Sequence, residues 1–400
     1  MLAAMESATG RATARESTAL EWVRLLAEEI GGRRPTGPAE RRAAELVADR
    51  LRRTGVSVEM HPFRAHPTFA LQYGTALAIA LSGAPTARRR PLRAAAAALA
   101  GAALTSAEDG LLHRPLTRLF ARRDSHNLVA TIDPAGEARR AVCLVCHLDT
   151  SRSALMFHRR FLPVLHVWIA TQAAAFAATI AAPLIRLLPS GRRIVHAAYA
   201  ILAAGLGLLI ERELRGVDVP GANDNASGVA AVATLATELQ AEPLTTTRVI
   251  CLFTGCEEAG VLGADAFVRE LETTGEDWHT WHFVNFDGVA APATLRFLRH
   301  EGVLRKWRSE SRLVRIAEKL AARRPELSLR GANHNAGLTY DTTPVLARGG
   351  RAITLSAQDW TIPNYHSPTD TVENIDPGVL EHAIEVGREM LAAINRGEAD

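Results

Sequence analysis

The alternation of strand-like and helix-like segments after residue 213 constrains the fold of this chain more than any other feature. Short apolar runs predict strands at 247–253, 281–286 and 351–356, and longer amphipathic segments predict helices at 228–240, 261–272, 303–322 and 378–395. Strands that alternate with helices form a largely parallel sheet with helices on both faces. The predicted fold class is therefore α/β, a three-layer αβα arrangement around a central mixed, mostly parallel sheet.

The N-terminal part of the chain predicts elements of the same domain. Residues 15–31 and 38–54 have helical periodicity, and residues 56–63 alternate as a strand does. Residues 126–133 and 140–146 are predicted to form a pair of neighbouring strands. In sheets of this type, ligands bind at the carboxyl ends of the strands.

Two blocks of apolar sequence interrupt this pattern. In the first, residues 69–84 and 94–105 contain no charged residue, and in the second neither do residues 161–185 and 194–210. A membrane helix needs roughly 20 apolar residues, so the second block predicts membrane-spanning helices more strongly than the first. The alternative is that both blocks are buried or dimer-forming helical hairpins, because alanine is only mildly apolar.

The preferred interpretation is one domain with two inserted helical hairpins. The α/β domain then comprises residues 1–66, 107–157 and 213–400, and the hairpins comprise residues 67–106 and 158–212. This predicts a membrane location, in a bacterium the plasma membrane. Arginines stand at the hairpin turns and also at their flanks, so the side of the membrane that holds the α/β domain is left open.

Charge and cysteine content exclude some functions. The net charge is +3 and the acids and bases are interspersed, so no nucleic-acid partner is expected. The four cysteines, Cys143, Cys146, Cys251 and Cys256, lack the spacing of a structural zinc site and are expected to be buried thiols, although a disulfide stays open.

Five short segments carry polar side chains, and four of them directly follow or adjoin an apolar strand. They are Cys146-His147-Leu148-Asp149-Thr150, Gly221-Ala222-Asn223-Asp224-Asn225-Ala226-Ser227-Gly228, Gly255-Cys256-Glu257-Glu258-Ala259-Gly260, Asn285-Phe286-Asp287-Gly288 and Asn364-Tyr365-His366-Ser367-Pro368-Thr369-Asp370. Acids at the ends of apolar strands are costly to bury unless they are paired or bind cations. A mixture of imidazole and carboxylate suits Zn²⁺, so the segments together predict a zinc site.

The order of these motifs resembles the co-catalytic zinc aminopeptidase family, which also contains glutamate carboxypeptidase II and the glutaminyl cyclases. The resemblance covers roughly residues 125–155 and 213–395 together with the N-terminal helices, and it implies a zinc-peptidase-like fold with two Zn²⁺ ions. It implies that His147 and Asp287 hold one zinc ion. Glu258 and His366 would hold the other, and Asp224 would bridge the two.

The resemblance also assigns catalytic roles. Glu257 would be the general base that takes a proton from a metal-bridging water and later delivers one to the leaving amine. Asp149 would accept the second ring N–H of His147, and Tyr365 would donate a hydrogen bond to the developing oxyanion. Residues 337–344 depart from the family pattern, which leaves substrate preference open; Asn333, His334 and Asn335 are candidates for the pocket wall.

The implied activity is that of a zinc metallopeptidase, an exopeptidase of the aminopeptidase kind acting on a peptide or small amide substrate. Three alternatives remain open: a hydrolase of N-acyl amino acids or acyl lipids, a glutaminyl-cyclase-like amide transferase with one zinc, and an inactive receptor or scaffold. Because all the expected ligands are present, the inactive form is disfavoured. The sequence does not indicate an oligomeric state.

Overall fold

The computed structural model describes residues 18–332 and 338–400. Asn333, His334 and Asn335, the candidates for the pocket wall, lie outside the described residues, as does the beginning of the helix predicted at 15–31. The chain divides into two compact units. Unit 1 comprises residues up to 67, 123–151 and 218–400, and unit 2 comprises residues 68–122 and 152–217. The domain boundaries drawn from the sequence stay a prediction.

Within the described residues, the strands of unit 1 form one eight-stranded sheet and a short two-stranded ribbon. They are β1 (Ser57–Ala65), β2 (Arg123–Ile132), β3 (Arg140–His147), β4 (Thr247–Thr254), β5 (His282–Phe286), β6 (Leu295–Leu298), β7 (His300–Glu301), β8 (Trp307–Arg308), β9 (Arg330–Ala332) and β10 (Arg351–Ala357). The order in the large sheet is β1-β2-β4-β3-β5-β10-β6-β9, and β7 pairs with β8. The four central strands β4, β3, β5 and β10 run parallel, and antiparallel pairs flank them.

The helices follow in chain order. They are α1 (Pro38–Arg53), α2 (Ala70–Leu81), α3 (Pro91–Asp109), α4 (Pro115–Phe120), α5 (Leu165–Ile180), α6 (Ala182–Ile185), α7 (Gly191–Arg215), α8 (Gly228–Ala241), α9 (Leu262–Thr274), α10 (Ser311–Arg323), α11 (Thr343–Ala347) and α12 (Pro377–Asn395). A short helical segment at residues 18–24 leads into a wide helical turn, Leu25–Ile30. A second wide turn, Ala222–Ser227, leads into α8. Short 3₁₀ turns occur at Ala84–Thr86, Leu155–Phe157, Leu162–Val164, Trp278–Thr280, Pro325–Leu327 and Val372–Asn374.

One large apolar cluster joins the sheet of unit 1 to α1, α8, α10 and α12. Each of these helices has apolar residues at helical spacing on the side that faces the cluster; in α1 they include Ala43, Val47 and Leu51, all fully buried. The predicted fold class, a mixed and mostly parallel sheet with flanking helices, is confirmed. All four cysteines are buried free thiols, as expected.

Two predictions of local structure are wrong. The strands at 126–133 and 140–146 are not paired, because β4 lies between β2 and β3. The helix predicted over 303–322 begins only at Ser311, where the Glu310 carboxylate accepts hydrogen bonds from the backbone N–H groups of Arg312 and Leu313. The chain before that cap pairs as β8 instead.

Unit 2 consists of two helical hairpins, α2 with α3 and α5 with α7. Their buried residues form two apolar clusters, one along the helices and one at the turns of the hairpins. Two segments, Leu162–Ile180 and Gly191–Arg215, are long and apolar enough to cross a membrane. Small residues allow α2 and α3 to approach closely, since a Cβ at Gly101 would lie 2.5 Å from the Ala76 carbonyl oxygen.

Candidate metal centre

The predicted ligands meet at one edge of the sheet in unit 1. Because β3, β4, β5 and β10 are parallel, their carboxyl ends lie side by side, and each is followed by one of the polar segments. The turn Ala222–Ser227 supplies the remaining ligand at the start of α8. The structure brings together all six side chains predicted from the motifs: His147, Asp224, Glu257, Glu258, Asp287 and His366.

The first group of candidate ligands surrounds His147. Its Nε2 atom lies 3.1 Å from Oδ1 of Asp224 and 3.7 Å from Oδ2 of Asp287. The three side chains are buried, and one ligand atom from each lies within 4.8 Å of the others. That spacing fits three donors around a single cation.

The second group surrounds His366. Its Nε2 atom lies 3.1 Å from Oε1 of Glu258 and 3.3 Å from Oδ2 of Asp224. These three donors are also buried and lie within 4.8 Å of one another. Asp224 therefore presents one carboxylate oxygen to each group, which is the arrangement expected of a bridging ligand.

The electrostatics of the cluster suit a divalent cation. Burial alone would lower the pKa of His147, but Asp149 and Asp224 beside the ring raise it well above its usual range. Burial would also lower the pKa of His366, but the nearby Glu258 and Asp224 raise it to about 9. Burial, and then the nearby Asp224, raise the pKa of Asp287. Two imidazoles and three carboxylates in a buried site form a donor set that matches Zn²⁺.

The turn that carries Asp224 is tied to the end of β5. The side chain of Asn225 donates to the carbonyl oxygen of Phe286 and accepts from the backbone N–H groups of Gly228 and Gly288, at 2.9 to 3.1 Å. A Cβ at Gly228 would lie 2.2 Å from that same carbonyl oxygen, so only glycine permits the approach. The turn thus holds Asp224 at a set distance from the strand that ends at Asp287.

Two charged side chains hold the same turn from the other side. The Asp370 carboxylate accepts hydrogen bonds from the backbone N–H groups of Asn223 and Asp224, at 2.8 and 3.0 Å. Burial, and then the neighbouring Asp224, raise the pKa of Asp370 to about 7. Arg33, fully buried, donates to the carbonyl oxygens of Leu148 and Gly221 and so links the loop after β3 to this turn.

The turn after β4, which carries Glu257 and Glu258, is held by two buried carboxylates. Glu40 of α1 accepts from the backbone N–H of Cys256 at 2.8 Å. Asp149 accepts from the backbone N–H groups of Glu257 and Glu258 at 3.0 and 2.9 Å. Three consecutive N–H groups therefore point at two carboxylates.

The contact between Asp149 and His147 differs in detail from the expected one. The ring Nδ1 lies 3.1 Å from the backbone carbonyl oxygen of Asp149 and 3.7 Å from the nearer oxygen of its carboxylate. The main chain of Asp149 is therefore the nearer acceptor for the ring, because the carboxylate is turned towards the N–H groups of the next loop. Either acceptor orients the ring so that Nε2 faces Asp224.

Tyr365 lies against the second group of ligands. Its ring stacks on that of His366 with centroids 3.7 Å apart, and burial, together with Glu258, raises its pKa well above the usual range. The hydroxyl therefore keeps its proton near neutral pH, as a hydrogen-bond donor must.

Sequence reasoning missed four buried residues around the site. Glu40 stands in the first turn of a helix, where an acid is ordinary, and Arg33 follows a Gly-Gly pair without any recognisable motif. Asp341, whose pKa is raised to about 7 chiefly by burial, accepts a 2.7 Å hydrogen bond from the hydroxyl of Thr254 at the end of β4. Tyr340 is also buried. Burial, and then the nearby Asp287, raise the pKa of its hydroxyl well above the usual range.

Comparison with known proteins agrees with this fold. Residues 208–391 match the model of Peptidase family M28. A curated relative, described as a probable lipoprotein aminopeptidase, LpqL, of Mycobacterium tuberculosis, is 28% identical over 188 residues, which is 40% of this chain and 37% of the relative. The chain thus spans well under half the length of that relative.

Solved structures of the same fold include zinc peptidases and a cyclase. The zinc aminopeptidase BSAP from Bacillus subtilis superposes with a TM-score of 0.57 at 15% identity, covering 95% of both chains. A glutaminyl cyclase from Porphyromonas gingivalis superposes with a TM-score of 0.52 at 16% identity, covering 95% of this chain and 98% of the other. The resemblance to the co-catalytic zinc peptidase family is confirmed, and the fold is that of these enzymes.

Proposed function

We propose that this chain is a zinc-dependent exopeptidase that removes residues from the amino end of peptides. The observation that carries the proposal is the convergence of two three-donor groups that share Asp224, with Glu257 beside them. The M28 match over residues 208–391 and the aminopeptidase relative support the same reaction class.

Two zinc ions would fit this site. His147 and Asp287 would hold one ion, Glu258 and His366 would hold the other, and Asp224 would contact both. When bound, such a pair supplies Lewis acidity that polarises a peptide carbonyl and lowers the pKa of a water molecule.

The chain's own residues would move the protons and orient the reacting groups. Glu257 is partly buried, and burial followed by the nearby Glu258 raises its pKa well above the usual range, which suits a group that accepts a proton and later releases it. Its carboxylate would take a proton from the attacking water and pass it to the leaving amine. Asp149 would fix the direction of Glu257 by holding its backbone N–H, and Tyr365 would donate to the oxyanion.

Two substitutions, Glu257→Gln and Glu258→Gln, distinguish the proposed general base from the proposed zinc ligand. We expect Glu257→Gln to lower kcat on aminoacyl-nitroanilides by at least about a hundredfold while zinc content, measured by mass spectrometry, stays at the wild-type value. Glu258→Gln should lose zinc. Activity retained in the first variant, or full zinc occupancy in the second, would contradict the assigned roles.

A substrate panel tests the reaction class. Aminoacyl-nitroanilides, N-acyl amino acids and a peptide with N-terminal glutamine would be compared in the presence of zinc and of a chelator. We expect chelator-sensitive release from the anilides. Cyclisation of the glutamine peptide without anilide hydrolysis would instead favour the glutaminyl-cyclase reaction. A glutaminyl cyclase has the same fold as this chain.

We also propose that unit 2 attaches the enzyme to a membrane. The segments Leu162–Ile180 and Gly191–Arg215 are about 28 and 37 Å long as helices, against a hydrocarbon core of about 30 Å. Val167 and Ile210 are 52% and 49% exposed. We expect the protein to leave the membrane fraction only with detergent; release by salt or carbonate alone would contradict the proposal.

A further inference from the structure

The turns of the two hairpins in unit 2 lie against each other. Ala87 and Ala94 of the first hairpin pack with Ala182, Val195 and Tyr199 of the second. The Arg186 guanidinium donates to the backbone carbonyl oxygen of Ala87, which joins the turns directly. The two turns therefore form one continuous surface at one end of the hairpins, here called the tip surface.

The tip surface is strongly basic. It contains seven arginines, all from the turns or the first helical residues after them: Arg88, Arg89, Arg90, Arg93, Arg186, Arg192 and Arg193. All but Arg186, which is half-buried, are exposed. The sequence has no Asp or Glu between residues 82 and 107 or between residues 182 and 210. These seven cations are thus not neutralised within their own hairpins near the turns.

The acids of unit 2 are concentrated at the opposite ends of the same helices. Glu108 is 17 residues along α3 from its start, about 25 Å away, and Glu211 is 20 residues along α7, about 30 Å away. Both acids are also engaged. Glu108 contacts Thr117 and Arg114, and Glu211 accepts a hydrogen bond from the backbone N–H of Leu155. Both distances exceed the Debye length of about 8 Å at physiological salt.

The placement of the arginines works against local helix stability. Both α3 and α7 begin at the tip surface, so the positive ends of two helix dipoles point there. Arg93 stands in the first turn of α3, and Arg192 and Arg193 stand in the first turn of α7, where acids rather than bases are favourable. An external anion would relieve this repulsion.

Large apolar side chains are exposed at the same end. Leu92, Leu184, Leu187 and Leu188 are 74%, 71%, 81% and 54% exposed. Arginines mixed with exposed leucines match a membrane interface, where the cations meet headgroups and the leucines enter the acyl boundary. A soluble polyanion would use the arginines alone.

We propose that the tip surface binds the headgroups of anionic phospholipids. The guanidinium groups pair with headgroup phosphates, frequently through two hydrogen bonds each, and the four leucines contact the adjoining acyl chains. The inference rests on the proposed membrane attachment of unit 2 and adds the charge class of the lipid and the residues that select it.

The test measures binding of short-chain lipids to the full-length protein purified in a neutral detergent. The probes are dioctanoylphosphatidylglycerol and, as the neutral counterpart, dioctanoylphosphatidylcholine. We expect the anionic lipid to bind at least about tenfold more tightly at low salt, with the preference shrinking as salt rises.

The variant R88Q/R89Q/R90Q/R192Q/R193Q removes five exposed charges of the tip surface. It leaves Arg93 and Arg186, of which Arg186 joins the turns. It should bind the two lipids within about twofold of each other, because most of the charge attraction is lost. The matched control, R42Q/R53Q/R315Q/R323Q/R330Q, removes five exposed arginines of unit 1 and should keep the wild-type preference. Circular dichroism and anilide hydrolysis check that both variants fold.

Each contrary result has a distinct meaning. Equal binding of both lipids by the wild type would overturn the proposal, even if detergent extraction had supported membrane attachment. Loss of preference in the control as well would overturn the assignment to the tip surface. If inorganic phosphate at the same concentration as the lipid abolished lipid binding, the assignment of a lipid as the ligand would be overturned. The leucines would then contribute nothing to binding. None of these results bears on peptidase activity, so the proposed enzyme function stands or falls separately.

Discussion

Single residues around the candidate metal centre divide into two groups with different tasks. One group, the predicted ligands, presents donor atoms to the space between the strand ends. The other holds backbone N–H groups of the turns that carry those ligands, as Glu40, Asp149 and Asp370 do. A carboxylate that accepts backbone N–H bonds makes strong, directional contacts. The second group therefore sets the precision with which the first is placed.

Glu40 provides a prediction for this second group. Its carboxylate accepts from the backbone N–H of Cys256, directly before Glu257, and from the Ser125 hydroxyl. Glu40→Ala frees the turn, so we expect kcat on aminoacyl-nitroanilides to fall between about tenfold and a hundredfold, with KM and zinc content little changed. Glu40→Gln keeps an acceptor for Cys256 and should recover part of the loss. A fall in stability alone, with kcat unchanged, would reduce Glu40 to a purely structural role.

At the scale of elements, the region beyond the central strands is held by a buried carboxylate. Glu301, at the end of β7, accepts hydrogen bonds from Thr342 and Thr343 at the start of α11 and from Thr354 on β10, at 2.7 to 2.9 Å. Thr342 and Thr343 belong to residues 337–344, the stretch that departs from the family pattern. Glu301 thus anchors part of the segment whose sequence leaves substrate preference open.

The pKa of Glu301 gives a pH prediction with a definite sign. Burial raises this pKa above the ordinary value of 4.5, although the three hydroxyls oppose the shift. The folded protein then holds a proton that the unfolded chain has lost, so the contribution of Glu301 to stability decreases as pH rises above 4.5. We expect the melting temperature of the wild type, relative to Glu301→Gln, to decline from pH 4.5 upward. A difference that is independent of pH would show that the burial does not perturb this group.

At the scale of the whole molecule, the chain leaves the sheet twice and returns to it. Unit 2 is formed by residues 68–122 and 152–217, and between them β2 and β3 add to the sheet of unit 1. Ligands from both sides of the second excursion, His147 before it and Asp224 after it, end 3.1 Å apart. Folding of unit 1 therefore depends on contacts distant in sequence, and a bound metal would stabilise them.

Removal of metal should destabilise the folded chain. Without a cation, three buried carboxylates face one another and raise the free energy of the folded state. A ligand present at about a thousand times its Kd stabilises by about 4 kcal/mol, which for a chain of this length is about 5 °C in the melting temperature. We expect a chelator to lower the melting temperature by about that amount, with zinc but not magnesium restoring it. Identical melting curves would contradict a bound metal.

Much of this protein follows from local sequence. Periodicity alone predicts most helices and the central strands, because the spacing of apolar residues within a segment indicates whether it forms a helix or a strand. The motifs also predict that the ligand segments follow strands, and the parallel arrangement brings His147, Glu258 and His366 to one edge. The apolar runs between residues 67 and 212 are equally legible, since length and lack of charge need no tertiary information.

Tertiary structure alone decided which elements became neighbours. The placement of β4 between β2 and β3 depends on hydrogen bonds between strands far apart in sequence, and no local pattern encodes such a partner. For the same reason, the sequence did not predict that Glu40, Arg33 and Asp341 lie near the candidate metal centre. A charged residue in a helix or loop looks ordinary until the fold buries it against another segment, because its free energy depends on partners and solvent that only the folded chain supplies.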